Sequence, residues 1–342
     1  MERTNFDLLT RIKTHICYAQ VFDSALTTKN IYSFCVDYDS TEISKNLSIL
    51  EKNGTINISK EYIYLKDNTS DFKTIKNERI RLSDEVINDN ITLLESLSRL
   101  PFILMIGVSG SIAHKNAKII GGELPDLDLF IITKTNSLYI TRIIIMFLRK
   151  VSYFLFKMGI LKKRISIDPN YLMEIDNLEV NNKSFFTAYE ANSLKIIKGD
   201  STYKHFLCAN KWINKYFSLD TAEIEHIKEV NDLKVNPIIQ FANFMSFSML
   251  YFYNRINSLL FGIPRAYSYK PRPDITGSFK SIQHVGGGYQ PQIAKRFGRL
   301  YENNFGKNKN LENFLFPGTT ENGLKDQNKT VYTQSRSLGY EQ

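Results

Sequence analysis

Two apolar runs of strand length, joined by a glycine- and serine-rich turn, constrain the fold of this chain more than any other feature. The first run, residues 102–106, leads into Gly-Val-Ser-Gly-Ser at residues 107–111. The second, residues 129–132, follows Pro-Asp-Leu-Asp at residues 125–128. Short uninterrupted apolar runs are typical of strands that are buried on both faces. The sequence therefore predicts a buried sheet in which a tight turn and two aspartates lie at strand ends.

The two aspartates form a candidate cation site. Asp126 and Asp128 are two residues apart, so on a strand their side chains point to the same face, with Cα atoms about 6.6 Å apart. Neighbouring carboxylates repel each other, and a bound cation relieves that repulsion. Mg²⁺, or Mn²⁺ in its place, prefers oxygen ligands of this kind. The alternative is an ordinary strand–turn–helix–strand segment in which the two aspartates cap a strand, face solvent and bind no cation.

The turn before the aspartates supplies a complementary feature. Glycine at position 110 lets the backbone approach a phosphate closely, and the Ser111 hydroxyl and N–H groups at a helix start can donate to phosphate oxygens. The segment matches neither the P-loop pattern nor the G-x-G-x-x-G dinucleotide fingerprint. This order of residues predicts a phosphate-binding turn beside a cation site.

These residues resemble the signature of the DNA polymerase β-type nucleotidyltransferase superfamily, which is an apolar strand, Gly-Ser, a spacer and then Asp-apolar-Asp-apolar. Here Gly110-Ser111 is followed by a spacer of fourteen residues and by Asp126-Leu-Asp128-Leu. The resemblance implies a minimal mixed-sheet fold that uses two metal ions, Mg²⁺ or Mn²⁺, to transfer a nucleotidyl group from an NTP to an acceptor. It also implies that Gly110 and Ser111 hold the β and γ phosphates, while Asp126 and Asp128 bind the ions.

The superfamily usually carries a third carboxylate on a neighbouring strand, and residues 164–173 supply a candidate in Asp168. The resemblance implies that Asp168 binds the metal nearest the acceptor and helps to deprotonate the attacking group. Pro169 removes a backbone donor, which favours a sheet edge or a bulge at this point. Glu174 or Asp176 can take the same role, and the other alternative is that Asp168 merely ends a strand.

Three shorter segments resemble elements of a subgroup of uncharacterised bacterial nucleotidyltransferase-domain proteins. They are Asp-Pro-Asn-Tyr at 168–171, Thr-Ala-Tyr-Glu at 187–190 and Asn-Lys-Trp at 210–212. This resemblance does not identify the acceptor, which can be a protein, a small molecule or RNA.

The predicted fold class is α+β: a minimal nucleotidyltransferase mixed sheet flanked by helices, with an N-terminal winged-helix-like unit and a C-terminal helical domain. Residues 1–75 follow the order helix, helix, capped helix and hairpin, which resembles a winged helix-turn-helix. The catalytic core is assigned to residues 83–180, and a helical accessory domain with a basic arm to residues 185–305. Residues 306–342 are rich in Asn, Lys, Gly and Thr and are expected to be disordered.

Several helices are predicted from caps and apolar spacing. Asp39 and Glu42 form a capping pair before one helix, and a second is expected to run from a Ser83 cap to Leu100. Thr187 and Glu190 read as a capping box for a helix closed by Gly199. The apolar segments 138–161 and 238–262 are expected to be core helices; the alternatives are a phosphate-contacting face for the first and an interfacial or oligomer-forming helix for the second.

Positive charge is concentrated in two regions of this chain of net charge +9. Residues 134–164 hold eight Lys or Arg and no acid, and residues 263–310 hold nine against two acids. Residues 265–299 also interleave basic side chains with aromatic rings, a composition that can grip a nucleotide or single-stranded nucleic acid. Both regions are therefore expected to face an anion, unless they are simply solvated surfaces.

The amino-terminal unit lacks the basic balance that DNA binding requires. Residues 1–71 contain eight Lys or Arg against ten Asp or Glu, whereas neutralised phosphates supply most of a DNA reader's affinity. This balance argues against specific DNA binding and favours a packing or protein-contact role.

The start of the chain lacks the basic and apolar regions of a secretory signal, and its three cysteines are widely spaced. A cytoplasmic location is therefore expected, without a membrane span because four charges interrupt residues 138–161. The leading hypothesis is a metal-dependent nucleotidyltransferase that releases pyrophosphate. The alternative is a catalytically inactive regulatory protein that binds nucleotide or nucleic acid.

Overall fold

Helices and strands are mixed along the chain and form an α+β protein, as the sequence predicts. The computed structural model describes residues 7–59, 62–66, 72–119, 121, 124–160, 167–180, 183–217, 235–261, 281–283, 289–308, 311 and 315. Within these residues there are two sheets: one has three strands, and the other has four strands extended by a short fifth.

The elements of the amino-terminal unit are α1 (Leu8–Val21), β1 (Leu26–Thr27), α2 (Thr28–Phe34), α3 (Ser40–Lys52), β2 (Ile56–Ser59) and β3 (Tyr62–Leu65). The three helices and the hairpin follow in the predicted order, and the short strand β1 is an addition that the sequence does not predict. Its strands pair antiparallel in the order β1-β3-β2. The predicted cap of α3 is confirmed, because an Asp39 carboxylate oxygen accepts from Thr41 N at 2.7 Å. The apolar face of α3 is buried as expected and consists of Ile43, Leu47 and Leu50.

A long helix, α4 (Phe72–Ser98), connects this unit to the larger sheet. The prediction that it begins at Ser83 is wrong. Ser83 lies in the helix interior, where its hydroxyl donates to the Arg79 carbonyl at 2.7 Å and accepts from Ala117 N at 3.2 Å. A serine that bonds back to the preceding turn can sit within a helix, so its cap-like sequence context was misleading.

The larger sheet is the predicted mixed sheet and has the strand order β7-β4-β5-β6-β8. Its elements are β4 (Ile103–Val108), α5 (Gly110–Ala113), β5 (Leu127–Thr133), α6 (Leu138–Lys157), β6 (Ile167–Glu174), β7 (Lys195–Lys198) and β8 (Ser281–Gln283). Strands β5 and β6 are parallel, and the other pairs are antiparallel. The register shifts between the pairs Asp128↔Asp168 and Phe130↔Tyr171, so Pro169 lies at the predicted bulge.

Helices follow β6: α7 (Phe185–Asn192), α8 (Asp200–Ala209), a 3-10 turn (Lys211–Lys215), α9 (Pro237–Phe261) and α10 (Tyr289–Phe305). Two predictions fail here. Ser184, rather than Thr187, caps α7, its hydroxyl accepting from Thr187 N at 3.2 Å. The residues before Gly199 form strand β7 and not the end of a helix, because they pair antiparallel with β4. Tertiary pairing outweighs local propensity at such a site.

Both faces of the larger sheet are covered. One hydrophobic cluster joins α1, α3 and β3 to α7, α8 and α10, and it includes Met105 and Phe130 of the sheet. A second cluster lies on the other face, where α4 and α6 cover Ile106 and Ile131. Since strand side chains alternate between faces, neighbouring residues of one strand enter different clusters. Of the predicted tail, Leu311 and Leu315 are buried in the first cluster, and residues 316–342 lie outside the described part.

Helices α6 and α9 pack on each other, but they are less buried than core helices of the kind that the sequence predicts. Their outer sides expose many large apolar side chains, among them Phe147, Phe154, Phe241 and Phe252. Within the described chain, no helix is both long and apolar enough to cross a membrane.

Candidate active site

The turn after β4 lies directly against the aspartate segment that opens β5. Ser109 N donates to the Asp128 carbonyl at 2.8 Å. Gly110 has φ +66°, and a Cβ atom at this position would lie 2.4 Å from Asp128 Oδ2. Only glycine combines this conformation with so close an approach. The structure thus brings Gly110 and Asp128, two of the predicted site residues, into contact.

The three candidate carboxylates lie at one end of the parallel strand pair. Asp128 and Asp168 are register partners of β5 and β6, while Asp126 precedes β5 and has a side chain 46% exposed. Arg149 of α6 reaches both flanking aspartates: Nη1 is 3.3 Å from Asp168 Oδ1, and Nη2 is 3.9 Å from Asp126 Oδ2. The alternative ligand Glu174 is at the far end of β6, with its Oε1 accepting from Ser137 N.

The electrostatics of this end of the sheet are dominated by negative charge. Burial, together with the charges of Asp168, Glu190 and Asp126, raises the pKa of Asp128 to about 7. A bound cation would reverse that effect, and carboxylate oxygens are suitable ligands for Mg²⁺ or Mn²⁺. Nevertheless, no three acidic, histidine or cysteine side chains of the described residues are grouped to hold a metal ion. The donor chemistry fits a divalent ion, but Arg149 would have to release the aspartates.

Glu190 of α7 binds the same turn from the other side. Its Oε2 accepts from Gly110 N at 3.1 Å, and its Oε1 is 2.9 Å from His114 Nε2. Burial alone would raise the pKa of Glu190, but the neighbouring His114 and these hydrogen bonds outweigh it and hold the pKa below its usual value. The Gly110 N–H, which the sequence assigns to a phosphate, therefore already donates to the carboxylate of Glu190.

A cavity of about 960 Å³ opens beside the turn. Asp128, His114 and Glu190 line it, and so do Gly110 and Ser111, whose side chain is exposed. Residues from α1, β1 and α2 of the amino-terminal unit form part of its wall, including Tyr18, Phe22, Thr27, Asn30 and Phe34. The amino-terminal unit is therefore part of the candidate site.

A positively charged side chain lies in the same wall. Lys76 of α4 lines the cavity, and its Nζ donates to Ser24 Oγ at 3.1 Å and to the His114 carbonyl at 3.3 Å. Burial, with the charges of Arg79 and Lys115, lowers the pKa of Lys76 to about 8. This lysine gives the cavity a cation that can face an anionic ligand.

Sequence reasoning missed Arg149, Glu190 and Lys76 as members of the site. The sequence indicates only a capping role for Glu190 and a surface charge or phosphate contact for Arg149. Each of the three residues is distant in sequence from the residues that it contacts, so no local sequence spacing predicts these contacts. Of the predicted basic arm, residues 281–283 form β8 and residues 289–299 lie in α10, where Arg296 pairs with Asp23. Residues 262–280 and 284–288 lie outside the described part.

Comparison with known proteins identifies no relative. No protein-family model, no curated protein and no solved structure matches this chain.

Proposed function

We propose that the protein is a metal-dependent nucleotidyltransferase that transfers a nucleotidyl group from an NTP to an acceptor and releases pyrophosphate. The observation that carries the proposal is the contact between the Gly-Ser turn and Asp128, with Asp168 as its cross-strand partner, at the edge of a large cavity. A phosphate-binding turn and a pair of strand-end carboxylates are the two features that this chemistry requires to be adjacent.

In the proposed reaction the NTP lies in the cavity with its phosphates at the turn. The Gly110 N–H and the Ser111 hydroxyl bind the β and γ phosphates after Glu190 has released Gly110 N, and Lys76 adds positive charge in the wall. Asp126, Asp128 and Asp168 would hold the divalent ions, which when bound neutralise charge on the α-phosphate and on the leaving pyrophosphate.

The acceptor oxygen attacks the α-phosphorus, and the bond between the α-phosphorus and the bridging oxygen of the pyrophosphate breaks. Asp168 takes the proton of the attacking hydroxyl on its carboxylate. A volume of about 960 Å³ lies at the upper end of the ~300–1,000 Å³ of small-molecule sites. It therefore has room for a nucleotide and the reacting part of an acceptor, whether this is a protein side chain, a small molecule or an RNA end.

The test is incubation with each α-labelled NTP and Mg²⁺ or Mn²⁺, using a cell extract as the source of acceptor. Asp126→Asn and Asp128→Asn should each abolish label transfer and pyrophosphate release, with a loss of roughly a thousandfold or more, while circular dichroism shows an intact fold. Asp200→Asn, an exposed aspartate of α8, is the matched control and should retain activity. Unchanged turnover in the two site variants would contradict the assignment.

A second candidate is a regulatory protein that binds nucleotide without catalysis. It is favoured by the pairing of Arg149 with Asp168, because this ion pair already satisfies the carboxylate that catalysis would use as a metal ligand and base. This candidate predicts that NTPs raise the melting temperature while no pyrophosphate is released under any metal condition.

A further inference from the structure

Within the described residues, helix α9 is attached to the rest of the fold along one side. Its inner residues Phe247 and Leu250 pack against the second hydrophobic cluster. Asn243 Oδ1 accepts from Tyr139 N at 2.7 Å and from Ile140 N at 3.0 Å, which caps the start of α6. These contacts fix the rotation of α9 about its own axis, so its opposite side is held outward.

The outward side of α9 is an apolar stripe. Large side chains follow one another at intervals of three or four residues, the spacing of a single helix face. Each of them is more than half exposed: Ile238, Phe241, Met245, Met249, Phe252 and Ile256. Residues 237–253 contain no charged side chain. We call these six residues the outer stripe; a surface of this kind marks an interaction site.

Helix α6, on which α9 packs, carries exposed basic side chains. It exposes the apolar rings of Phe147 and Phe154 together with the charged ends of Lys150 and Lys157. Acidic residues are absent from the whole sequence between 134 and 164, and Lys162, Lys163 and Arg164 follow α6 directly. The sequence after α9 is also basic, with three positive charges and no acid between 263 and 273.

This combination distinguishes between two occupants. In a symmetric dimer the same patch faces itself, so the exposed lysines of α6 beside α9 would meet their own copies. An anionic lipid surface instead accepts aromatic and apolar side chains at the headgroup boundary and pairs with Lys and Arg around them. Charge complementarity therefore favours the lipid surface over a second copy of the chain.

We propose that α9 lies in the interface of an anionic bilayer, parallel to its surface, with the outer stripe inserted between the lipid headgroups. The helix binds on the membrane and does not cross it. This inference is independent of the proposed enzymatic activity, because it uses none of the site residues and predicts binding in the absence of any nucleotide.

The test is sedimentation of the full chain with vesicles of phosphatidylcholine alone and of phosphatidylcholine containing roughly one-third phosphatidylglycerol. We expect binding to the anionic vesicles, weaker binding to the neutral ones and a decline with added salt. The double variant Phe241→Ser, Phe252→Ser should have an affinity for anionic vesicles at least roughly tenfold lower than that of the wild type. A separate double variant, Phe241→Leu with Phe252→Leu, should keep binding close to that of the wild type. The matched control is Val36→Ser with Ile119→Ser, which changes equally exposed apolar residues elsewhere and should bind as the wild type does.

Three results would overturn the proposal. The first is absence of binding to anionic vesicles, and the second is equal binding to neutral ones. The third is a dimer, detected by light scattering, that the double serine variant dissociates while vesicle binding is unaffected. The leucine variant separates loss of the stripe from loss of fold, because it keeps the apolar surface at the same two positions.

Discussion

At the scale of single residues, Gly110 connects the two halves of the candidate site. Its positive φ and its contact with Asp128 leave no space for a side chain. The sequence suggested a glycine for close approach to a phosphate, whereas in the structure the group in close approach is a carboxylate of the same chain. The residue type was predictable from the motif, but the neighbour that requires it was not.

Gly110→Ala tests that contact. The alanine Cβ would meet Asp128 Oδ2, so the variant should lose about 3 kcal/mol of unfolding free energy from strain and steric overlap. The matched control is Gly159→Ala, because Gly159 also has a positive φ but its Cβ position has no described atom within 4 Å. The control should lose only about 1 kcal/mol. Urea denaturation measures both, and equal losses would mean that the contact with Asp128 is unimportant.

Arg149 occupies the position between Asp126 and Asp168 as a built-in counter-ion. A divalent ion that binds these carboxylates must compete with the guanidinium. Arg149→Gln should therefore bind Mn²⁺ about fivefold to tenfold more tightly, since removal of a partly screened positive charge favours a second cation. Titration followed by electron paramagnetic resonance gives the affinity without any turnover assay.

Lys150→Gln is the control for the Arg149 variant, as it removes an exposed positive charge from the adjacent position. It should leave Mn²⁺ affinity nearly unchanged. Weaker Mn²⁺ binding by Arg149→Gln would show that the arginine positions the carboxylates for the ion and does not compete with it.

At the scale of elements, the start of α6 is capped by residues from two other elements. The Ser137 side chain makes no cap hydrogen bond to α6. Instead, Asn243 of α9 accepts from Tyr139 N and Ile140 N, and Glu174 of β6 accepts from the N–H of the cap residue Ser137. The length and apolar character of α6 could be predicted from the sequence. Its cap could not: Asn136 and Ser137 before the helix are of the residue types that usually cap helices, but the side chains that accept from the helix start come from distant segments.

Glu174 should make stability depend on pH. Its side chain is 1% exposed, and burial with the charge of Asp176 raises its pKa to about 7, although backbone hydrogen bonds oppose the shift. The folded protein therefore binds this proton more tightly than the unfolded chain does. The free energy of unfolding should fall as pH rises from about 4.5 through 7, by up to ~3 kcal/mol from this group.

Glu174→Gln removes that titration and should flatten the profile over this interval, measured by urea denaturation at several pH values with a chelator present. The exposed Glu179, which pairs with Lys183, provides the control variant Glu179→Gln, expected to keep the wild-type profile. Asp128 contributes a slope of the same sign in the same interval. A profile in Glu174→Gln as steep as that of the wild type would refute the role assigned to Glu174.

At the scale of the whole molecule, local patterns predicted the order of elements better than their packing. The apolar runs of β4 and β5 and the capped helix α3 follow from short-range spacing. By contrast, the assembly of the amino-terminal unit with α7, α8 and α10 in one cluster depends on contacts between residues that are far apart in sequence. The exposed sides of α6 and α9 were also mistaken for core, since apolar content alone does not show which side another element covers.

The aromatic centre of that shared cluster has a consequence for the wall of the cavity. His15 of α1 stacks on Phe34 at 4.4 Å and lies beside Phe185 of α7 and Phe217. Burial lowers the pKa of His15 to about 3, with a smaller effect of Arg11, so the ring stays neutral. Rings of α1, α2 and α7 pack on one another here, so separating the amino-terminal unit from α7 would expose them to water. Tyr18, Phe34 and Tyr189 belong to the same aromatic group and line the cavity, so the packing of the cluster holds this wall of the cavity in place.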